Sequence, residues 1–224
     1  MENLAAVGEL ETLNSAAEEY HRWYYDERVW IHTTFMGVPC QKSVSDMWNY
    51  QEILFELKPS VVVEFGTKAG GSALYFAEML HLISSPSRVL SVDIDHSQAV
   101  DQVRNHPRIE LFESDSKSPE VLDRIRALRA QYSGKAFFIL DSDHSADHVF
   151  GELLQVREVT TPGDYVVLED GNLNGHPVMP DWGPGPYEAL TRYFEQFPND
   201  YVRDVNREQK FGFTFAVRGF LTRC

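Results

Sequence analysis

Five short runs rich in β-branched and aromatic residues punctuate the middle of the chain: Val61–Phe65, Val89–Val92, Ile109–Phe112, Ala136–Leu140 and Tyr165–Leu168. Helical stretches at Ser72–Ile83, Gln98–Arg104, Glu120–Ala130 and His148–Val159 separate them. Strands joined by crossover helices run parallel, and the helices cover both faces of the sheet. The expected fold is therefore α/β, with a Rossmann-like doubly wound sheet. Beyond Gly171 the rhythm breaks into a Gly/Pro-rich loop through Pro186, a helix near Tyr187–Phe197, and apolar runs at Tyr201–Val205 and Phe211–Phe220. The last two runs read as a terminal hairpin, which adds an antiparallel C-terminal strand to the sheet.

Such an end is foreign to nicotinamide-binding Rossmann domains and is the mark of the methyltransferase variant of the doubly wound sheet. Ahead of the sheet, Glu2–Tyr25 has helix-compatible spacing, and Ser45–Leu57 places Met47, Tyr50, Ile53, Leu54 and Leu57 on one helical face before Lys58-Pro59 ends it. Residues 1–58 thus form a helical extension or cap to a domain at 59–224. The net charge of −14 would repel a phosphate backbone, so nucleic acid is excluded as a partner. No apolar run approaches the roughly 20 residues of a membrane span, and the N-terminus lacks the features of a secretory signal. Cys40 and Cys224 are too few and too far apart for a disulfide framework, and a cytoplasmic location follows as the default.

At the first strand the chain reads Glu64-Phe65-Gly66-Thr67-Lys68-Ala69-Gly70-Gly71-Ser72, a carboxylate followed by a glycine-rich turn into a helix. Its E-x-G-x-x-x-G-G spacing lacks the pyrophosphate turn of G-x-G-x-x-G and suits a ligand without phosphate, which points to S-adenosylmethionine (SAM). Glycines at 66, 70 and 71 would keep Cβ atoms away from the bound molecule or permit a positive φ. Asp93, ending the second strand, is the expected partner of the ribose hydroxyls, with Asp95 read as a helix-starting cap. Asp115 and Ser116, after the third strand, are candidates for the adenine, against a capping role for Asp115 at the helix near Pro119. Asp141 closes the fourth strand beside the same pocket.

Asp141, Glu169 and Asp170, at the ends of the fourth and fifth strands, form an all-oxygen set suited to Mg²⁺, Mn²⁺ or Ca²⁺. A hydroxyl bound to that cation would lose its proton to His144 or solvent and attack the sulfonium methyl, giving O-methylation of a small molecule. Asp143 is an alternative ligand, and Asp147 and His148 read as helix-start residues. His176, in the Gly/Pro-rich loop, is the second candidate for proton transfer, and Trp182 the candidate acceptor-packing ring. A metal-dependent hydroxylase or hydrolase and a catalytically silent cofactor-binding partner are the competing readings.

With Met36-Gly37-Val38-Pro39, Gln41-Lys42, Tyr50-Gln51-Glu52-Ile53, Glu64-Phe65-Gly66-Thr67, Gly70-Gly71-Ser72, Asn174-Gly175-His176-Pro177-Val178 and Gly183-Pro184-Gly185-Pro186, the chain resembles the cephalosporin hydroxylase family over about residues 30–220. Despite that name, the resemblance implies a methyltransferase fold binding SAM and magnesium, with Asp141, Glu169 and Asp170 on the metal. It also implies a hydroxyl acceptor on a secondary metabolite or glycoside, in antibiotic tailoring or sugar O-methylation, and self-association. The more distant catechol O-methyltransferase pattern is similar at its metal-bearing strand ends. It departs at His144, where that pattern has a catalytic lysine, and at Glu169-Asp170, where it has aspartate then asparagine.

Overall fold

The computed structural model describes residues 11–83 and 86–224, so the first part of the predicted N-terminal helix, Glu2–Leu10, lies outside the described residues. In chain order the elements are α1 (Glu11–Asp26), a 3₁₀ turn (Val29–His32), β1 (Thr34–Phe35), β2 (Val38–Pro39), α2 (Val44–Leu57), β3 (Val61–Phe65), α3 (Gly71–Leu82), β4 (Arg88–Asp93), α4 (Asp101–Arg104), β5 (Ile109–Glu113), α5 (Pro119–Gln131), β6 (Ala136–Leu140), α6 (Ala146–Val159), β7 (Tyr165–Leu168), α7 (Pro186–Gln196), β8 (Tyr201–Arg203), α8 (Val205–Gln209) and β9 (Phe220–Arg223). All five sequence-predicted strands form. The fourth predicted crossover begins two residues early, at Ala146, and the second shrinks to the single turn of α4.

Seven strands make one sheet in the order β5-β4-β3-β6-β7-β9-β8, parallel except for β9, which runs antiparallel to both β7 and β8. The strands β3, β6 and β7 are apolar on both faces because helices lie on each side, and Val62, Phe137, Ile139 and Val167 face one core while Val63, Phe138, Leu140 and Val166 face the other. Helix α2 belongs to the first of these cores through Tyr50, Ile53 and Leu54.

The terminal hairpin needs correction. Tyr201–Arg203 and Phe220–Arg223 do pair antiparallel, but α8 and a loop intervene, and most of the Phe211–Phe220 run is not strand. Its aromatics instead cover α1: Phe213 meets Tyr20, His21 and Tyr24 at 5.4, 4.9 and 5.6 Å, and Phe215 meets Tyr25 at 5.5 Å. An apolar run that buries against a helix gives the same sequence signal as one that buries in a sheet.

The chain leaves β5 at one end of the parallel strands and returns to β6 beside β3, so the order of winding reverses between β3 and β6. Ligands of open α/β sheets bind at the carboxyl ends of the strands at such a reversal. Hydrogen bonds continue past the strand ends there: Gly66 N donates to Val92 O (2.8 Å), Asp141 N to Phe65 O (2.9 Å) and Glu169 N to Leu140 O (3.0 Å). Consecutive strand-end acids are thereby held side by side.

Candidate active site

Gly66 sits at the reversal with φ +95°, and a Cβ there would lie 2.0 Å from the backbone oxygen of Asp141. At Gly71 a Cβ would lie 2.2 Å from the backbone oxygen of Pro39, and at Gly70, 2.7 Å from Val103. The sequence pattern assigns these glycines to close approach of a ligand. What a side chain would strike first is protein: the end of β6, helix α4 and the N-terminal strap that runs from β2 into α2.

Glu64 is fully buried; Ser91 donates to its Oε2 at 2.8 Å, while Oε1 has no partner among the described residues. Burial pushes its carboxyl up to about 7, with the Lys42 charge opposing. Thr67 is also internal, its hydroxyl bonded to Ser91 Oγ (2.7 Å) and His96 Nε2 (3.1 Å). Asp93 staples the glycine-rich turn, with Oδ2 accepting from the backbone N–H of Thr67 (2.8 Å) and Lys68 (3.1 Å), and Oδ1 from Asp95 N (3.2 Å). Asp95 accepts from Ser97 N at 2.7 Å, a turn-forming contact.

Asp115 is exposed and accepts from Lys117 N at 2.8 Å. The capping role weighed for it falls to Ser118, whose hydroxyl accepts from Val121 N. Ser116 points inward, so its hydroxyl is spent within the protein: it donates to Glu152 Oε1 (2.5 Å) and lies 2.9 Å from His148 Nε2. Ser142, just past Asp141, donates to the same Glu152 oxygen at 2.5 Å. The wholly buried Glu152 thus ties the loop after β5 to the loop after β6, a role hidden in the sequence because a glutamate inside α6 looks like any helix-surface acid.

On the other side of the reversal, Asp141, His144 and Asp170 each offer a ligand atom within 4.8 Å of the others. His144 Nε2 is 3.2 Å from Asp170 Oδ2. Burial would lower the His144 pKa, but the Asp170 and Asp141 charges outweigh it and hold the ring above its ordinary value; burial in turn raises Asp170. Asp170 adopts φ 55°, a left-handed conformation that a non-glycine residue keeps only where its surroundings impose it. Glu169 does not join this open group. It is 2 % exposed, accepts a hydrogen bond from the Tyr50 hydroxyl, and lies 3.1 Å from Lys42 Nζ.

Lys42 belongs to the motifs of the family resemblance, but no site role was expected of it. It reaches the strand ends from the strap between β2 and α2, is 3 % exposed, and places Nζ 2.5 Å from Asp141 Oδ2. Burial works against its charge, but Asp141, Glu169 and Glu64 together hold its pKa well above the ordinary lysine value. A lone lysine between Cys40 and Val44 is the only sequence signal.

Beside His144 opens a cleft of about 500 Å³ lined by Ser142, Asp143, His144, Ser145, Trp182, Gly183 and Pro184. Asp143 accepts from Ser145 N (2.7 Å), and Asp147 pairs with Arg192 on the surface. His176 stands outside the Asp141–His144–Asp170 group: its ring stacks on Tyr187 at 3.6 Å and its Nε2 is 2.9 Å from Glu188 Oε1. Asn174 bonds both Glu188 (3.1 Å) and Gly183 N (3.1 Å), and Gly185 N donates to Glu188 (2.8 Å), so this network sets the course of the Trp182 loop.

A seven-stranded sheet with one reversed strand, and acids gathered where its winding turns, define the class as Rossmann-like methyltransferases. The profile of the Rhamnosyl O-methyltransferase/CmcI family matches residues 27–224. The rhamnosyl O-methyltransferase of Mycobacterium leprae is 56% identical over 210 residues, 94% of this chain and 91% of that protein. Its counterpart in Mycobacterium tuberculosis strain H37Rv is 53% identical over 210 residues, 94% of this chain and 86% of that one. Among solved structures, CmcI with Mg and SAM superposes with TM-score 0.70 at 20% identity, covering 87% of this chain and 77% of that one. An O-methyltransferase from Bacillus cereus in complex with SAH gives 0.54 at 14% identity, covering 93% and 91%. The chain belongs to the rhamnosyl O-methyltransferase/CmcI family and is a SAM-dependent O-methyltransferase.

Proposed function

We propose that this protein methylates a hydroxyl of a rhamnosyl or related sugar unit on a glycoside or secondary metabolite, with a divalent cation, Mg²⁺, at the strand ends. The observation that carries this reading is the open Asp141–His144–Asp170 group beside the Trp182 cleft. Hard oxygen donors and the absence of cysteine from this group fit Mg²⁺ better than a soft-ligand metal. Magnesium is named on the CmcI structure, and rhamnosyl O-methyl transfer in the mycobacterial relatives. Of the three carboxylates expected on the metal, Asp141 and Asp170 lie in the open group. Glu169 gives its Oε1 to Tyr50 and Lys42, which leaves Oε2 as the oxygen it could offer the cation.

The residues present also fit the methyl donor. Glu64 keeps an unpartnered buried oxygen at the reversal, suited to an ammonium group, and Asp93, while stapling the turn, retains acceptor capacity for ribose hydroxyls. Asp115, exposed beside the loop that Glu152 fixes, is free to accept from the adenine amino group. When bound, the cation supplies a Lewis acid that makes a coordinated sugar hydroxyl easier to deprotonate. His144 is placed to take that proton, the Asp170 carboxylate orients its ring, and Trp182 offers an apolar face to the sugar. His176 acts by holding the loop that carries Trp182. Alignment of hydroxyl and methyl group, with water kept out, provides most of the acceleration expected of such a site.

The experiment is incubation of the protein with SAM and a panel of rhamnosyl glycosides, with magnesium or with chelator, followed by mass spectrometry. Addition of one methyl group to a rhamnosyl acceptor, lost on chelation and strongly reduced in His144→Ala, is the expected result. Transfer that persists undiminished in chelator sinks the metal role; no transfer to any glycoside by protein that binds SAM sinks the acceptor class.

A further inference from the structure

We propose that Lys42 is a built-in counter-cation of the strand-end carboxylates, setting how tightly a divalent ion is held there; this rests on the metal reading above. Three carboxylates, Asp141, Glu169 and Asp170, converge at the ends of β6 and β7. Gathered together they repel one another, and a cation beside them relieves that repulsion. Lys42 touches two of the three and not the third, with Nζ 2.5 Å from Asp141 and 3.1 Å from Glu169. Its side chain is 3% exposed, so the ammonium has no solvent alternative. Its positive charge offsets part of the negative charge gathered there, Glu64 included.

The placement is asymmetric. Lys42 and the Tyr50 hydroxyl both engage Glu169 Oε1 and Lys42 takes Asp141 Oδ2, whereas Asp170 meets His144. The delivery of Lys42 is itself constructed. The strap lies so close to the start of α3 that only glycine fits at 71, and α2 beyond it is locked down by Asp46, which accepts from the Thr214 hydroxyl (2.6 Å) and Phe215 N (2.8 Å). A lysine reaching the ends of β6 and β7 from a strap outside the sheet is thus held as firmly as the acids it balances.

A unit charge about 6 Å from a divalent ion changes affinity by about tenfold even when screened as in bulk water. Titration of Mn²⁺ alone into the purified protein, read by electron paramagnetic resonance, tests the proposal without turnover. Lys42→Met should bind Mn²⁺ about tenfold tighter or more than wild type, Glu169→Gln more weakly than wild type, and the Lys42→Met/Glu169→Gln pair about tenfold tighter than Glu169→Gln alone. Thermal unfolding checks that each variant is folded; should Lys42→Met fail to fold, the double variant measured against Glu169→Gln carries the same comparison. Affinity unchanged or weakened on removing Lys42, in either background, overturns the proposal and shows a purely structural lysine. Asp170→Asn separates the two readings: it should abolish Mn²⁺ binding, and if it leaves binding at the wild-type level the metal site itself is wrong, and the proposal falls with it.

Discussion

On the β4–β5 side of the strand-end crevice the acids are satisfied by backbone dipoles, whereas on the β6–β7 side they are satisfied by charges. Asp93 accepts three backbone N–H groups and Asp115 one, and among the described residues neither forms a salt bridge with a lysine or arginine side chain. Asp141, Glu169 and Asp170 face Lys42 and His144 instead. Dipole-bound carboxylates hold a loop in shape and keep lone pairs for the hydroxyls and amino groups of a neutral nucleoside. Charge-bound carboxylates create a field, which a cation and a sulfonium can use. The carboxyl ends of the parallel strands thus carry two kinds of acid, a difference that suits the two halves of the proposed methyl transfer.

The largest effect should come from breaking the charged side. Asp141→Ala leaves the buried Lys42 ammonium with Glu169 as its only close partner, and losing one member of a buried pair costs about 3–5 kcal/mol. Urea unfolding of the metal-free protein would measure it; a loss no greater than that of Asp93→Ala would erase the distinction between the two halves.

Next comes a buried group that the fold keeps neutral. His21 stacks against Phe213 and Phe215, with Asn172 Nδ2 2.9 Å from its Nε2, and burial, reinforced by Arg22, lowers its pKa to about 4. The folded state then binds fewer protons than the unfolded chain between pH 6.5 and 4, so the stability this ring contributes is present above 6.5 and is lost as pH falls to 4. The shift corresponds to about 3 kcal/mol. His21→Phe should flatten the stability profile over that window, and an unchanged slope would assign the acid sensitivity to other groups.

The smallest effect is expected on the dipole side. Asp93→Ala frees three backbone N–H groups, of which those of the exposed Lys68 and Asp95 can turn to water while that of the buried Thr67 cannot, a cost of about 1–2 kcal/mol. Calorimetric titration of SAH should nevertheless show weaker binding, because the turn and the ribose acceptor are lost together. Retained affinity would mean that Asp93 serves the turn alone.

Much of this architecture was legible in the residues. The five strands form where the β-branched runs predict them, since a strand buried on both faces tolerates little else. The strand-end acids were equally visible, because a carboxylate that closes an apolar run has few other reasons to be there. Phe211–Phe220 misled, as burial against α1 leaves the same apolar signature as burial in a sheet. Ser118 rather than Asp115 caps α5, a choice of three residues that spacing alone could not make.

The sequence by itself determined the layered parallel sheet and the identity of the acids delivered at its strand ends, because each depends on local periodicity and on the residues that close each strand. Which acid meets a charge and which a dipole was decided only by tertiary structure. Lys42 and Asp141 are 99 residues apart, and Tyr50 and Glu169 are 119 apart. Electrostatic partnership depends on distance in space, and nothing in the pattern along the chain fixes where a strap outside the sheet will set down its one buried lysine.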